Sequence, residues 1–184
     1  MSLFRKSAGM ERFFLAQAED FARFFEQNHL GVFRYAMVLC AGNQGEAEDV
    51  TAEAFTRAWE KRAQFSGTAP AALGWVIAIA RNLLIDRRRS EAAHPMDVIE
   101  EDAAEGTAGA IENLLVDTEQ LQDALDAVRS LPFRQGNILT LRYALGWRVK
   151  DIAAHLGMAE NTVSVELRRG IARLQKKLVA QEAP

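Results

Sequence analysis

A single cysteine, Cys40, stands in 184 residues, which excludes an intramolecular disulfide framework and any multi-cysteine zinc site. Three histidines, His29, His94 and His155, are too scattered to build a metal cluster. Only 4 prolines and 12 glycines are present, and the apolar share is 49%, so collagen-like repeats, low complexity and wholesale disorder are excluded. No window reaches about 18 uncharged apolar residues, so no transmembrane helix and no membrane insertion are expected. Met1 to Arg12 has no apolar run after its basic residues, so no signal-peptide core is expected there. Nucleophile–base–acid sets, glycine-rich phosphate loops and spaced metal ligands are all missing. An enzyme is therefore not expected, nor a cofactor, a metal or a small-molecule substrate. These readings fit a cytoplasmic protein.

What is present is a division of charge that the formal net of −3 conceals. Residues 1–94 hold 12 Lys/Arg against 11 Asp/Glu. Residues 95–126 hold 10 acids and no base, and residues 127–184 hold 10 bases and 4 acids. Mutual repulsion of carboxylates and low local hydrophobicity favour an extended chain in the middle. The expected plan is all-α: a helical domain over 10–92, an acidic flexible linker over 93–117, and a basic helical domain over 118–180. Ile111, Leu114, Leu115 and Val116 form a short anchoring turn in this reading.

Helical spacing dominates the first domain. Phe21, Phe24 and Phe25 are followed by Val32, Phe33, Ala36, Met37 and Cys40, with Gly31 an expected break. Gly42 to Gly45 reads as a turn. Next, Ala47, Val50, Thr51, Ala54, Phe55, Ala58 and Trp59 fall on one face of a helix, and Glu46, Asp49, Glu53 and Glu60 gather opposite. That acidic side suits either solvent, with Glu53 pairing Arg57, or a basic partner surface. A third helix, from about Ala72 to Arg89, buries Leu73, Val76, Ile77, Ala80, Leu83 and Leu84. Trp75, Asn82 and Asp86 lie on its other side, flanked by Arg81, Arg88 and Arg89. Arginines for phosphate and an aromatic for base stacking suit a nucleic-acid strand, and Trp75 suits packing equally well.

In the second domain Leu131-Pro132 opens a helix that runs to Gly146. Val149 to Gly157 and then Asn161 to Arg169 read as a helix-turn-helix, with Gly157 supplying the left-handed turn residue and Val163 plugging the angle between helices. Val163, Leu167, Gly170, Ile171, Leu174 and Leu178 form an inward stripe, so Thr162, Val165, Glu166, Arg169, Arg173 and Lys176 face away. A basic outward face on a second helix is what major-groove docking requires. His155 reads as a surface or capping residue.

Three segments together resemble the bacterial RNA polymerase sigma factors of the small, extracytoplasmic-function (ECF) class. Ala47 to Trp59 is similar to that family's core-binding helix, Gly74 to Asp86 to its promoter-melting helix, and Leu131 to Gln135 with the helix-turn-helix to its −35-binding domain. The resemblance implies a subunit that binds core polymerase, directs it to promoters and helps melt DNA. It implies core polymerase, promoter DNA and an anti-sigma factor as partners. By the same resemblance, Glu46, Glu48, Asp49, Glu53, Phe55 and Arg57 bind polymerase. Phe65, Ser66, Trp75, Arg81, Asn82, Asp86, Arg88 and Arg89 serve the −10 element, with the Phe65–Ala72 loop receiving a flipped base. Thr162, Ser164, Val165, Glu166, Arg168, Arg169, Arg173 and Lys176 serve the −35 element.

The chain departs from the family pattern at Ala52, where glutamine is usual, at Gly136, often arginine, and at Ser164 and Glu166, usually lysine and arginine. Fewer cations and one more anion on the recognition helix weaken phosphate contact, while a glutamate can accept from cytosine N4. The acidic linker, tethered beside the basic domain, is expected to compete with DNA for it. The competing reading is a stand-alone helix-turn-helix regulator with a helical sensing or dimerisation domain. That reading leaves the second and third helices without a role.

Overall fold

The computed structural model describes residues 15, 17–93 and 118–181; the acidic segment 94–117, with the expected anchoring turn, lies outside them. Every regular element among the described residues is helical. Helix α1, Ala18–Leu39, buries Phe21, Phe24, Val32, Tyr35, Ala36 and Leu39 along one stripe, and Glu19 and Asp20 complement the dipole of its first turn. The expected break at Gly31 is absent. A mid-helix glycine costs about 1 kcal/mol, which full burial of Val32 and Tyr35 on its C-terminal side outweighs.

The chain turns at Cys40–Asn43, two residues earlier than the sequence suggests. Ala41 and Gly42 take positive φ there, 54° and 82°, and the Gly42 N–H returns to the Met37 carbonyl at 2.9 Å. Helix α2, Gln44–Lys61, starts under Asn43, whose side chain accepts from the Glu46 N–H at 2.9 Å. A short 3-10 turn, Arg62–Gln64, leads to helix α3, Ala69–Ala93. By length and composition its Ala69–Ser90 stretch, at a mean hydropathy of 1.3, could cross a membrane, although Arg81 and Asp86 interrupt it, so it is not an uncharged apolar run. Here Ala72, Val76, Ile77, Ala80, Leu83 and Leu84 of that stretch are buried in the protein core, and α3 packs on α1 and α2.

Helix α4, Thr118–Arg129, precedes the expected helix-turn-helix domain elements. Helix α5, Phe133–Tyr143, follows Pro132 and stops three residues short of Gly146. Helices α6, Val149–Leu156, and α7, Glu160–Gln181, meet at Gly157, which takes φ 63° as its turn role requires. Val163 is fully buried in their angle. At Gly170 an added Cβ would lie 2.9 Å from Leu139 Cδ1, so glycine is what lets α7 lie this close to α5.

The two helical groups meet along a seam formed mainly by α1 with α4 and α5, and α3 also reaches the second group at Arg88 and Gly74. Tyr35 Oη donates to Asn137 Oδ1 at 2.6 Å. Gln122 donates to the Ala41 carbonyl at 2.8 Å, and Arg129 to the Cys40 carbonyl at 3.3 Å. Gly136 explains one departure from the family pattern: its missing Cβ would sit 3.3 Å from the Val128 carbonyl oxygen and 3.7 Å from Leu39 Cδ2. No side chain as large as arginine fits along that direction.

Candidate polymerase and promoter interface

Helix α2 separates its two faces as the sequence suggests. Asp49 is 75% exposed and approaches Arg87 of α3 at 3.9 Å. Glu53 pairs with Arg57 at 2.7 Å, one turn on. Glu48 is exposed and accepts from Gln44 at 2.8 Å. Two expected contacts stand apart from this surface. Phe55 is buried, with its ring against Phe21, Phe24 and Phe25, because it belongs to the apolar stripe rather than the acidic one. Glu46 is drawn into the seam, 3.8 Å from Arg129. Burial and the neighbouring Glu46 hold the Cys40 thiol protonated, far above its ordinary range.

The side of α3 away from the core carries an aromatic and polar set. Trp75 is partly buried and stacks on Phe65, centroid to centroid 5.1 Å at 23°. The loop closes tightly over this pair: a Cβ at Gly67 would meet Phe65 Cζ at 2.9 Å. Ser66 and Asn82 are exposed, as are Asp86 and Arg89, which lie 3.8 Å apart. Trp75 is thus a packing residue, with Phe65 stacked on its ring. Arg88 leaves the set. It donates to the Leu39 carbonyl at 3.2 Å and lies over the Phe133 ring at 4.9 Å, so it serves the seam.

His155, expected as a surface or capping residue, is half-buried. Its ring meets Trp147 edge-on at 5.1 Å, and its Nδ1 lies 3.4 Å from where a Gly74 Cβ would be. Burial, with Arg81 adding to it, pushes the imidazole below its ordinary pKa. Glycine at 74, inside the melting-helix motif, is the one sequence signal of this close approach between α3 and α6. At the start of α6, Arg148 donates to Asp151 at 2.8 Å, which holds that carboxyl below its usual range.

On α7, Thr162, Arg168, Arg169, Arg173 and Lys176 are exposed, and Ser164 and Val165 are partly so. Glu166 does not face outward as its spacing suggests. Its carboxylate turns to α5, accepting from Gln135 Nε2 at 2.8 Å and lying 3.9 Å from Arg134. A neighbouring polar group captures it, which periodicity alone does not register.

Residues 24–94 match Sigma-70 region 2, and residues 121–174 match Sigma-70, region 4. The ECF RNA polymerase sigma factor SigL of Mycobacterium tuberculosis is 30% identical over 172 residues, covering 89% of this chain and 91% of that one. The chain belongs to the ECF RNA polymerase sigma factor family. This sigma factor is also 31% identical over 173 residues to the ECF sigma factor BldN of Streptomyces coelicolor, covering 92% of this chain and 64% of the relative. Among solved structures it resembles the sigma factor RpoE in complex with the anti-sigma factor NepR from Bartonella quintana. The TM-score is 0.68 at 25% identity, over 88% of this chain and 98% of that one. CnrH in complex with the cytosolic domain of CnrY shares the fold, with a TM-score of 0.61 at 14% identity over 91% and 92% of the chains. As a sigma factor, the chain directs RNA polymerase to promoters, and the stand-alone regulator is not favoured.

Proposed function

We infer that this sigma factor docks on core polymerase through the solvent side of α2, with Glu48, Asp49, Glu53 and Arg57 as the contact set. Residues 10–92 are the unit that binds core and the −10 element, 93–117 the linker, and 118–180 the −35 unit. Trp75, Asn82, Arg81 and the Phe65–Ser66 loop engage single-stranded −10 DNA, and the exposed side of α7 enters the −35 major groove. The phosphodiester chemistry belongs to the polymerase, so this chain acts as a regulatory, non-catalytic subunit in the cytoplasm. An anti-sigma factor is its second protein partner, in keeping with the partner named for RpoE. The observation that carries the reading is one chain holding region 2 and region 4 in order, with an exposed acidic helix face in the first and an exposed basic one in the second.

In vitro transcription by core polymerase, with and without this chain, tests it. Start sites that depend on the chain are expected. Duplex binding without polymerase, and no chain-dependent transcript, would favour a stand-alone regulator.

A further inference from the structure

Glu166 stands where the family usually has a cation, and its side chain is 14% exposed. One carboxylate oxygen accepts from Gln135 Nε2 at 2.8 Å, and the other lies 3.9 Å from Arg134 Nη2. Gln135 is buried, and its own Oε1 accepts from Arg173 Nη1 at 2.6 Å. Residues 166 and 173 lie two turns apart on one side of α7, so Gln135 bridges a span of about 10 Å. Gly170 lies between them and admits Leu139, one turn beyond Gln135 on α5. The chemistry fixes the amide's orientation, because a carboxylate can only accept and a guanidinium can only donate. One carboxylate thus gathers two guanidinium groups from two helices, Arg134 directly and Arg173 through the amide.

We propose that Glu166 is a positioning residue for the −35 duplex: it sets Arg134 and Arg173 as a pair of backbone-phosphate contacts and reads no base itself. The inference rests on α7 being the −35 helix. Arg134 is 57% exposed and Arg173 is exposed, and a guanidinium has five N–H donors, so each keeps several for phosphate. Anchoring removes the rotamer freedom that a loose arginine loses on meeting its ligand. The direct-readout alternative needs the carboxylate presented to cytosine N4, whereas it is 14% exposed and turned to Gln135 of α5.

The two roles of a carboxylate here carry opposite signs. A glutamate merely near the duplex repels phosphate, so its removal tightens binding. A glutamate that positions two arginines loosens binding when removed. The test uses holoenzyme assembled from core polymerase and the full chain, on duplexes that the wild-type holoenzyme selects from a pool randomised at −35. Affinity is measured across a salt series and against single base-pair changes. Glu166→Ala is expected to weaken binding about tenfold and to lower the salt slope by about two, since each phosphate contributes about 0.9. The ranking of −35 base pairs stays as in wild type. Glu166→Gln keeps an acceptor for Gln135 and loses only the Arg134 pairing, so its slope falls by about one.

Tighter or unchanged binding by Glu166→Ala would overturn the proposal, as would a changed preference at one base pair. A fall in melting temperature with an unchanged slope would also overturn it, leaving a packing role. If the wild-type holoenzyme selects no duplex at all, the −35 reading beneath the proposal fails first.

Discussion

Tyr35 and Asn137 stand 102 positions apart and share one buried hydrogen bond of 2.6 Å across the seam of α1 and α5. Tyr35 is fully enclosed and Asn137 is 3% exposed. Burial raises the phenol's pKa far above its ordinary value, so the hydroxyl remains a donor throughout the physiological range. Tyr35→Phe strands the amide oxygen in an apolar seam, which costs about 1–3 kcal/mol. For a chain of this size that lowers Tm by about 3–10 °C. Replacing both partners, Tyr35→Phe with Asn137→Leu, removes the stranded group and is expected to recover part of the loss. Thermal melts of the two single variants and the double variant check this. Strictly additive losses would show that the bond does not couple the two helices.

The acidic side of α2 yields a contrast between neighbouring glutamates. Asp49 and Glu53 sit in exposed pairs, which contribute about 0–1 kcal/mol each. Reversing both to lysine is expected to leave helicity and Tm nearly unchanged while abolishing co-purification with core polymerase. Glu46 is 18% exposed and faces Arg129 and the seam. Glu46→Lys is therefore expected to lower Tm, because it sets two cations against each other. Unchanged co-purification of the Asp49/Glu53 variant would remove this face from the polymerase contact.

Most of this plan was legible because helical periodicity reports burial directly. The stripes of α2 and α3 and the turn at Gly157 follow from spacing and from glycine's freedom at positive φ. The exceptions are polar or achiral residues whose partners lie far away in sequence. Gln135, Asn137 and Thr140 are buried, yet as polar residues they carry no apolar signal. Gly31 reads as a break only until the burial around it is known. Phe55 is buried as its spacing requires, whereas Glu166 and Arg88 share one lesson. A residue's side of the helix is set by the whole environment, and a family motif places a residue without saying which neighbour holds it.

Asn82 offers a test of melting separate from docking. It is exposed on α3, on one helical side with the partly buried Trp75. Asn82→Ala removes no buried group, so stability should change by less than about 0.5 kcal/mol. Polymerase binding is expected to persist, with fewer permanganate-reactive thymines at −10. Trp75→Ala should lose more, since base–aromatic stacking contributes about 1–3 kcal/mol per base, though part of its loss is the Phe65 contact. An equal loss of polymerase affinity in Asn82→Ala would make the residue structural.

The contact between α3 and α6 should respond to acid through His155. Its Nε2 is buried and has no hydrogen-bond partner, and Arg81 of α3 opposes a positive charge there. The folded imidazole therefore holds its proton less tightly than the unfolded one, whose pKa is about 6.5. Below that value the unfolded chain binds more protons than the folded one, so stability falls as pH drops from about 6.5 through the lower folded value. Above about 7 the group contributes no pH dependence, because it is neutral in both states. His155→Gln keeps a polar side chain without a titrating proton, and is expected to flatten the difference in Tm between pH 7.5 and 5.5. The carboxylates of the chain titrate alike in both proteins, so subtracting one profile from the other isolates the imidazole. A histidine proton resonance assigned to His155 should titrate with a midpoint below 6.5. A midpoint at or above 6.5, or parallel Tm profiles for the two proteins, would show that Arg81 and burial do not control this contact.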